Sequence, residues 1–302
     1  MIYAPVLLFV YNRPRHTQRT LEALRKNTLA AQTDLYIQAD GARNEADRAA
    51  VELVRAFLSN VEGFQTVKVI AHDQNRGLAE SVIKGVTDVV DKHGRVIVVE
   101  DDLETSPYFL QYMNDGLNLY EAEENVISIH GYLYPLTTSV PETFFLKGAD
   151  CWGWATWKRG WDLFERDGEK LLRELRSRGL EHEFDLNGSY HYAEMLKDQC
   201  AGKIDSWAIR WHASAFLKNK FTLYPGRSLV YNIGHDSSGS HSETMDAFNV
   251  TLSETPIRVA KMPITQDGFV LKEVCRYWRS VEPNAIQRVI RHVQKLFTGR
   301  HR

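Results

Sequence analysis

The chain has 302 residues, 43% of them hydrophobic and 25% charged, with a formal net charge of −2. That balance is ordinary for a globular protein, gives no global electrostatic pull toward nucleic acid, and contains no apolar run of membrane-spanning length. The three cysteines, Cys151, Cys200 and Cys275, are odd in number, far apart and without a CxxC pairing. Reduced thiols of a cytoplasmic protein are expected, not disulfides or zinc ligands.

The N-terminus runs straight into a first strand over Val6–Tyr11, with no charged n-region or long apolar h-region, so a secreted protein is not expected. Strands over Leu35–Ala39, Val67–Ala71 and Val96–Val99 follow. Between them lie three helical patterns. Thr17–Lys26 carries Leu21 and Leu24 on one face, Glu45–Leu58 carries Val51, Val54 and Leu58, and Leu78–Val90 carries Val82, Val86 and Val89. Strands alternating with helices of this length predict an α/β fold with a parallel sheet and right-handed crossovers. Ligands in such sheets bind outside the carboxyl ends of the strands.

Those carboxyl ends share a character. The first strand runs into Tyr11-Asn12-Arg13-Pro14, the second into Asp40-Gly41-Ala42-Arg43, and the third is followed by Asp73-Gln74-Asn75-Arg76-Gly77. The fourth, the β-branched run from Arg95 to Val99, ends in Glu100, Asp101 and Asp102. Three like charges at the end of a buried strand are costly without a positive partner. Mg²⁺ or Mn²⁺ bridging a diphosphate suits such oxygen ligands. The plainer reading is a solvated acidic turn before a helix that Ser106-Pro107 would start.

Beyond this point the pattern changes. Residues 126–150 suggest short strands with a turn around Gly131–Pro135. Trp154, Trp157 and Trp161 fall at helical spacing, a stripe more often core than ligand-binding. Residues 169–178 and 190–219 read as mostly helical. Phe221–Tyr224 and Leu229–Ile233 read as short strands around Pro225-Gly226. The segment after 240 is irregular until a basic amphipathic helix at 284–302, whose apolar face could lie on an anionic membrane or on the domain.

The stretch VIVVEDDLETSPYFLQYM resembles the metal-binding segment of N-acetylglucosaminyltransferase I-like enzymes of the glycosyltransferase A fold, a pattern that overlaps the bacterial family 2-like glycosyltransferases. Phe9–Arg13 and Ile37–Gly41 before it resemble the family's first and second strands, and Cys151–Trp161 and Ile204–Trp211 after it resemble its later segments, in the same order. The resemblance implies an inverting, metal-dependent transfer of a sugar from a nucleotide diphosphate sugar, UDP-GlcNAc as first donor, to an acceptor hydroxyl. The acceptor would be a glycan or a lipid-linked glycan. Eukaryotic members carry a membrane anchor and this chain begins at the catalytic fold, so a soluble bacterial-type enzyme, cytoplasmic or peripheral at the inner membrane face, is expected. Residues 1–105 would bind the donor. Residues 106–283 would hold the acceptor and the catalytic group within the same globular unit.

By that resemblance Asp102 is the metal ligand, with Mn²⁺ or Mg²⁺ as cofactor, and Glu100 and Asp101 contact the ribose or support the site. His235 closes the metal shell or contacts the diphosphate, with His241 a second candidate; either is otherwise a surface histidine. Asp205 takes the proton of the attacking hydroxyl or caps a helix; Ser206 lies near the family's base position, and Asp198 and Asp236 are fallbacks. Asp40 meets the base edge or makes an Asp-Gly turn. Arg13 meets the base or phosphates or forms a surface ion pair. Asn75, Arg76 and Gly77 offer backbone N–H groups to the donor. Apart from the resemblance, Trp152 and Trp207 are candidates to stack on an acceptor sugar, while most of the seven tryptophans read as core. Two rival readings are a nucleotidyltransferase, against which Tyr11–Arg15 lacks the glycines of a triphosphate loop, and a non-catalytic nucleotide- or carbohydrate-binding module.

Overall fold

A computed structural model of the chain describes residues 3–236 and 246–281. Its first half alternates as the periodicity predicts: β1 (Val6–Val10), α1 (Pro14–Arg25), β2 (Asp34–Ala39), α2 (Glu45–Leu58), β3 (Thr66–Ala71), α3 (Leu78–His93) and β4 (Arg95–Glu100). The helix α1 starts three residues earlier than its apolar pattern, because Pro14 at its first turn has no N–H to leave unsatisfied. Asn44 caps α2 by accepting from the Asp47 N–H at 3.1 Å.

The second half contains β5 (Leu103–Thr105), α4 (Phe109–Leu119), β6 (Val126–His130), β7 (Thr143–Lys147), β8 (Trp154–Trp157), α5 (Lys158–Trp161), α6 (Gly168–Ser177), α7 (Glu181–Phe184), α8 (Tyr192–Cys200), α9 (Trp207–Leu217), β9 (Phe221–Pro225), β10 (Val230–Asn232) and α10 (Gly268–Val281). One eight-stranded sheet runs through both halves in the order β3-β2-β1-β4-β8-β6-β9-β7. From β3 to β4 every pairing is parallel; β8 then joins both β4 and β6 antiparallel. This is the expected α/β fold, with a sheet more mixed than the first half alone suggests. A separate antiparallel ribbon pairs β10 with β5.

Several local expectations are corrected. No helix starts at Ser106-Pro107. The Ser106 hydroxyl accepts from the Tyr108 N–H at 3.3 Å and donates to the Ser253 carbonyl at 2.6 Å, and α4 begins at Phe109. The tryptophan spacing is not helical: Trp154 and Trp157 lie on the strand β8, and their side chains enter different core clusters. The helical stretch at 190–219 is two helices, because Ser206 opens a new one by accepting from the Ile209 N–H. The helix α10 lies in a segment read as irregular; its Val270, Val274, Tyr277 and Trp278 are buried. Residues 284–302 lie outside the described residues. No helix among the described residues is long and apolar enough to cross a membrane. All three cysteines are free.

Both faces of the sheet are covered. Leu8, Val10, Ile97 and Val99 pack in one cluster with Leu21 and Leu24 of α1 and Val54 and Leu58 of α2. On the opposite face Leu7, Phe9, Val96 and Val98 pack against Val82, Val86 and Val89 of α3 and Trp207 and Trp211 of α9. Each such fully buried aliphatic side chain contributes about 1.5–3 kcal/mol before entropy is charged against it.

Two histidines belong to this interior. His130 ends β6 with 1% exposure, and His212 on α9 packs between Phe184 and Tyr192. Burial holds the His130 imidazole below its ordinary value despite the charge of Asp150; burial does the same to His212 against a hydrogen bond to Ala149 and the same charge. The unfolded chain protonates both as pH falls through about 6.5 while the fold resists, so this contribution is complete above that pH and is lost below it. Urea unfolding at pH 8 and at pH 5.5 is therefore expected to show a smaller loss of stability on acidification for His130→Gln than for the wild type. An equal loss in both would overturn the assignment.

Candidate functional site

The strands β1 and β4 are parallel neighbours, with Phe9 opposite Glu100, so the turns that leave them emerge side by side. Arg13, the N-cap residue of α1, projects from the first turn into the second. Its Nη2 donates to Asp101 Oδ1 and, at 3.0 Å, to Asp102 Oδ2. The Tyr11 N–H reaches Asp101 Oδ2 at 3.4 Å, and the Thr20 hydroxyl donates to the Asp101 carbonyl at 2.8 Å. The positive partner that the acidic triplet demands is thus Arg13, in a largely buried ion pair and not a surface one.

One guanidinium offsets only one of three carboxylates. Burial, reinforced by Asp102 and Asp101, pushes the Glu100 carboxyl up to about 8. Burial also pushes Asp101 up to about 6, with Asp102 adding to the rise and Arg13 opposing it. Burial alone would lower the Arg13 guanidinium, but Asp101 and Asp102 outweigh it and hold it above its ordinary range. The cluster is therefore built to accept further positive charge.

The ribbon brings a distant segment to this cluster. Asn232 of β10 pairs with Leu103 of β5, and the Ile233 N–H donates to the Asp102 carbonyl at 2.8 Å. Gly234 then passes so close to the Asp102 carboxylate that a Cβ at this position would collide with Oδ2. His235 follows, stacked on Phe248 at 4.9 Å between ring centroids and edge-on to Trp152 at 5.3 Å. Burial lowers the imidazole below its ordinary value and Asp102 opposes the shift. Its Nε2 is buried without a hydrogen-bond partner. His235 is thus no ordinary surface histidine. His241 lies outside the described residues.

Asp40 does different work from that expected. Its carboxylate accepts from the N–H groups of Gly41 at 2.9 Å, Arg76 at 2.9 Å and Gly77 at 3.1 Å, and from Asn75 Nδ2 at 3.1 Å. Both oxygens are occupied, so Asp40 ties the turn after β2 to the loop after β3 and has no free oxygen for a base edge. The N–H groups of Arg76 and Gly77 likewise point at Asp40 and not at a donor. Gly41 permits the contact: a Cβ there would stand 2.5 Å from the Gln74 carbonyl carbon.

Asp205 lies just before the capping Ser206, so it is not itself the cap. Its carboxylate is 68% exposed, 3.8 Å from Arg210, and Oδ2 is 3.9 Å from where a Cβ on Gly77 would stand. That places it on the rim beside the Asp40 loop. Asp198 and Asp236 are held by Lys203 at 2.8 Å and by His16 at 3.1 Å. Trp207 is 2% exposed and stacked on Trp154 with ring centroids 5.5 Å apart, so no ring face is open to an acceptor sugar. Trp152 is partly buried against Tyr132, His235 and Phe248.

Two residues near the site escape a sequence reading. Asp47 of α2 accepts from the Tyr11 hydroxyl at 2.8 Å and from Asn12 Nδ2 at 2.9 Å, fixing the turn after β1. Asp150 accepts from the Tyr134 hydroxyl at 3.1 Å and the Cys151 N–H at 3.0 Å. Burial, then the charges of Asp150, Glu100 and Asp102, push the Cys151 thiol up, which sets the turn before β8 beside the acidic cluster. A lone Asp before Cys-Trp-Gly carries no sequence signal of this role; Tyr11 and Asn12 gave one, being polar at a strand's carboxyl end.

Among the described residues no three His, Cys, Asp or Glu side chains form a ready-made metal cage. A Mg²⁺-type ion that bridges a diphosphate needs no such cage, since one or two protein ligands, water and phosphate oxygens complete its shell. Asp102, the unpartnered His235 Nε2 and the excess negative charge fit that demand.

No protein-family profile matches the chain, and no curated protein matches it. Among solved structures it is similar to S. aureus TarS, at 14% identity over 49% of this chain and 24% of that one, with a TM-score of 0.32. It is also similar to S. aureus TarS 1-349, at 12% identity over 76% of this chain and 60% of that one, with a TM-score of 0.41. A third is the mannosyltransferase PcManGT from Pyrobaculum calidifontis in complex with GDP-Man and Mn²⁺, at 12% identity over 71% of this chain and 69% of that one, with a TM-score of 0.35. The chain thus spans less than two thirds of the length of either TarS structure.

Proposed function

We propose that the chain is a glycosyltransferase that moves a sugar from a nucleotide diphosphate sugar to an acceptor hydroxyl, by inversion and with a divalent cation. The observation that carries this reading is the meeting of Arg13, the acidic triplet and His235 at the carboxyl ends of β1 and β4. Asp102 and His235 would hold Mn²⁺ or Mg²⁺, which neutralises charge developing on the leaving diphosphate. Arg13 holds Asp101 and Asp102 in place and adds positive charge beside the phosphates. Asp40 fixes the loop carrying Gly77, and Asp205 at that rim takes the proton as the acceptor oxygen attacks the anomeric carbon. The bond from that carbon to the diphosphate breaks, and the nucleotide leaves with its electrons. UDP-GlcNAc remains the first donor to try, on the resemblance in sequence.

The test is a thermal-shift series with UDP-, GDP- and dTDP-sugars, each with Mn²⁺ and with EDTA, since a ligand bound only by the native state raises its melting temperature. One nucleotide family should stabilise the chain in a metal-dependent way; no shift with any of them would overturn the proposal. With the donor found, Asp205→Asn should keep donor binding and lose turnover by about a hundredfold or more, the usual worth of a general base. Unchanged turnover would remove Asp205 from the reaction.

A further inference from the structure

The face of the sheet that carries α3 is covered unevenly. The apolar side of α3 packs on β1 and β4, and the edge strand β3 lies beyond that cover, with Lys68 exposed. Between α3 and the β2–β3 pair a groove of about 330 Å³ remains. Its floor follows from strand register: Tyr36 is paired with Lys68 and Gln38 with Ile70, so these side chains share one face. Its wall is one side of α3, where Ser81, Lys84, Asp88 and Lys92 recur at helical spacing.

The groove is strongly cationic. Lys68, Arg76, Lys84 and Lys92 line it against a single acid, Asp88, which is spent on Lys84 at 2.8 Å. Lys92 donates to the Tyr36 hydroxyl at 2.9 Å, and the ammonium groups of Lys92 and Lys68 lie 5.3 and 6.0 Å from the centroid of that one ring. Among the described residues no carboxylate pairs with Lys68, Lys92 or Arg76. At the mouth, burial lowers the His72 imidazole, and the charge of Arg76 adds to it. Ser81 is 9% exposed, and its hydroxyl is buried with no partner. Clustered cations that no carboxylate offsets, together with an idle buried hydroxyl, leave this groove with positive charge and a hydrogen-bonding group that a bound anion would complement.

We infer that this groove binds an anionic chain carrying successive phosphates. Lys68 and Lys92 hold one phosphate beside Tyr36, and Ser81 and Arg76 hold another toward the crevice. Ser81 and Lys92 stand eleven residues apart on α3, about 16 Å along its axis, which leaves room for more than one phosphate. The site is separate from the acidic cluster and needs no metal.

Calorimetric titration with inorganic tripolyphosphate in EDTA and low salt tests the inference, on wild type, Asp102→Ala and Lys68→Gln/Lys92→Gln. Wild type and Asp102→Ala should bind alike and saturably, and the double variant should bind at least about tenfold more weakly, as should the wild type in high salt. Lys68→Glu alone provides a second, independent loss; both lysines are exposed, so unfolding is not at issue. No saturable binding, or equal binding by the double variant, would overturn the assignment. So would sedimentation with phosphatidylglycerol vesicles in the absence of tripolyphosphate binding, which would give this face to a bilayer. The acidic crevice takes no part in the readout, so failure here leaves the glycosyltransferase reading untouched.

Discussion

Asp102→Ala is expected to abolish the metal-dependent thermal shift with nucleotide sugar and to lower turnover by at least about a hundredfold, the scale on which a single group stabilising developing charge is felt. Its carboxylate both meets Arg13 and lies against the Gly234 backbone, and its charge acts on the His235 imidazole. Glu100 and Asp101 are more deeply charged against, and Asp101 is already held by Arg13 and the Tyr11 N–H. The variant should fold as well as wild type in EDTA, because removing one of three crowded carboxylates relieves repulsion. A metal-dependent shift that survives in Asp102→Ala would show that the ion, if bound, is bound elsewhere.

The largest effect on stability is expected from Arg13→Ala. It leaves Asp101 with a side chain 5% exposed beside Asp102 and Glu100 and without its cation. Removing one partner of a buried ion pair typically costs about 3–5 kcal/mol, because the remaining charge stays buried and uncompensated. Urea unfolding would read this directly. Restoration of part of the loss in Arg13→Ala/Asp101→Asn would identify the cause as stranded charge and not lost packing; a double variant no more stable than Arg13→Ala would refute it.

The parts of the fold legible in sequence are those with a single physical signature. β1, β2 and β4 are buried on both faces, so each is a near-continuous apolar run, and α2 and α3 show a clean apolar stripe. Of the ribbon, β10 falls within the expected strand Leu229–Ile233, marked by the Pro225-Gly226 turn before it, while β5 is three residues long, too short for any periodicity. β8 misleads because Trp154 and Trp157, three apart, mimic a helical stripe while lying on a strand. α10 carries its signal in Val270, Val274, Tyr277 and Trp278, but within a segment dominated by loop residues. In the site, the acidic triplet and Arg13 could be read because their costs are local to a strand end. The use of Asp40 could not, since its partners at 75–77 are distant in sequence and adjacent only through the β2–β3 pairing.

The ribbon also bears on how the molecule comes into being. The acidic turn at 100–102 belongs to strands whose parallel partners are complete once β4 is made, yet the backbone that braces Asp102 arrives with residues 232–235. A ribosome delivering the chain at about 5–20 residues per second exposes those carboxylates for several seconds before their brace emerges. Among the described residues of the crevice, Arg13, synthesised first, is the cation that pairs with them before that brace is made.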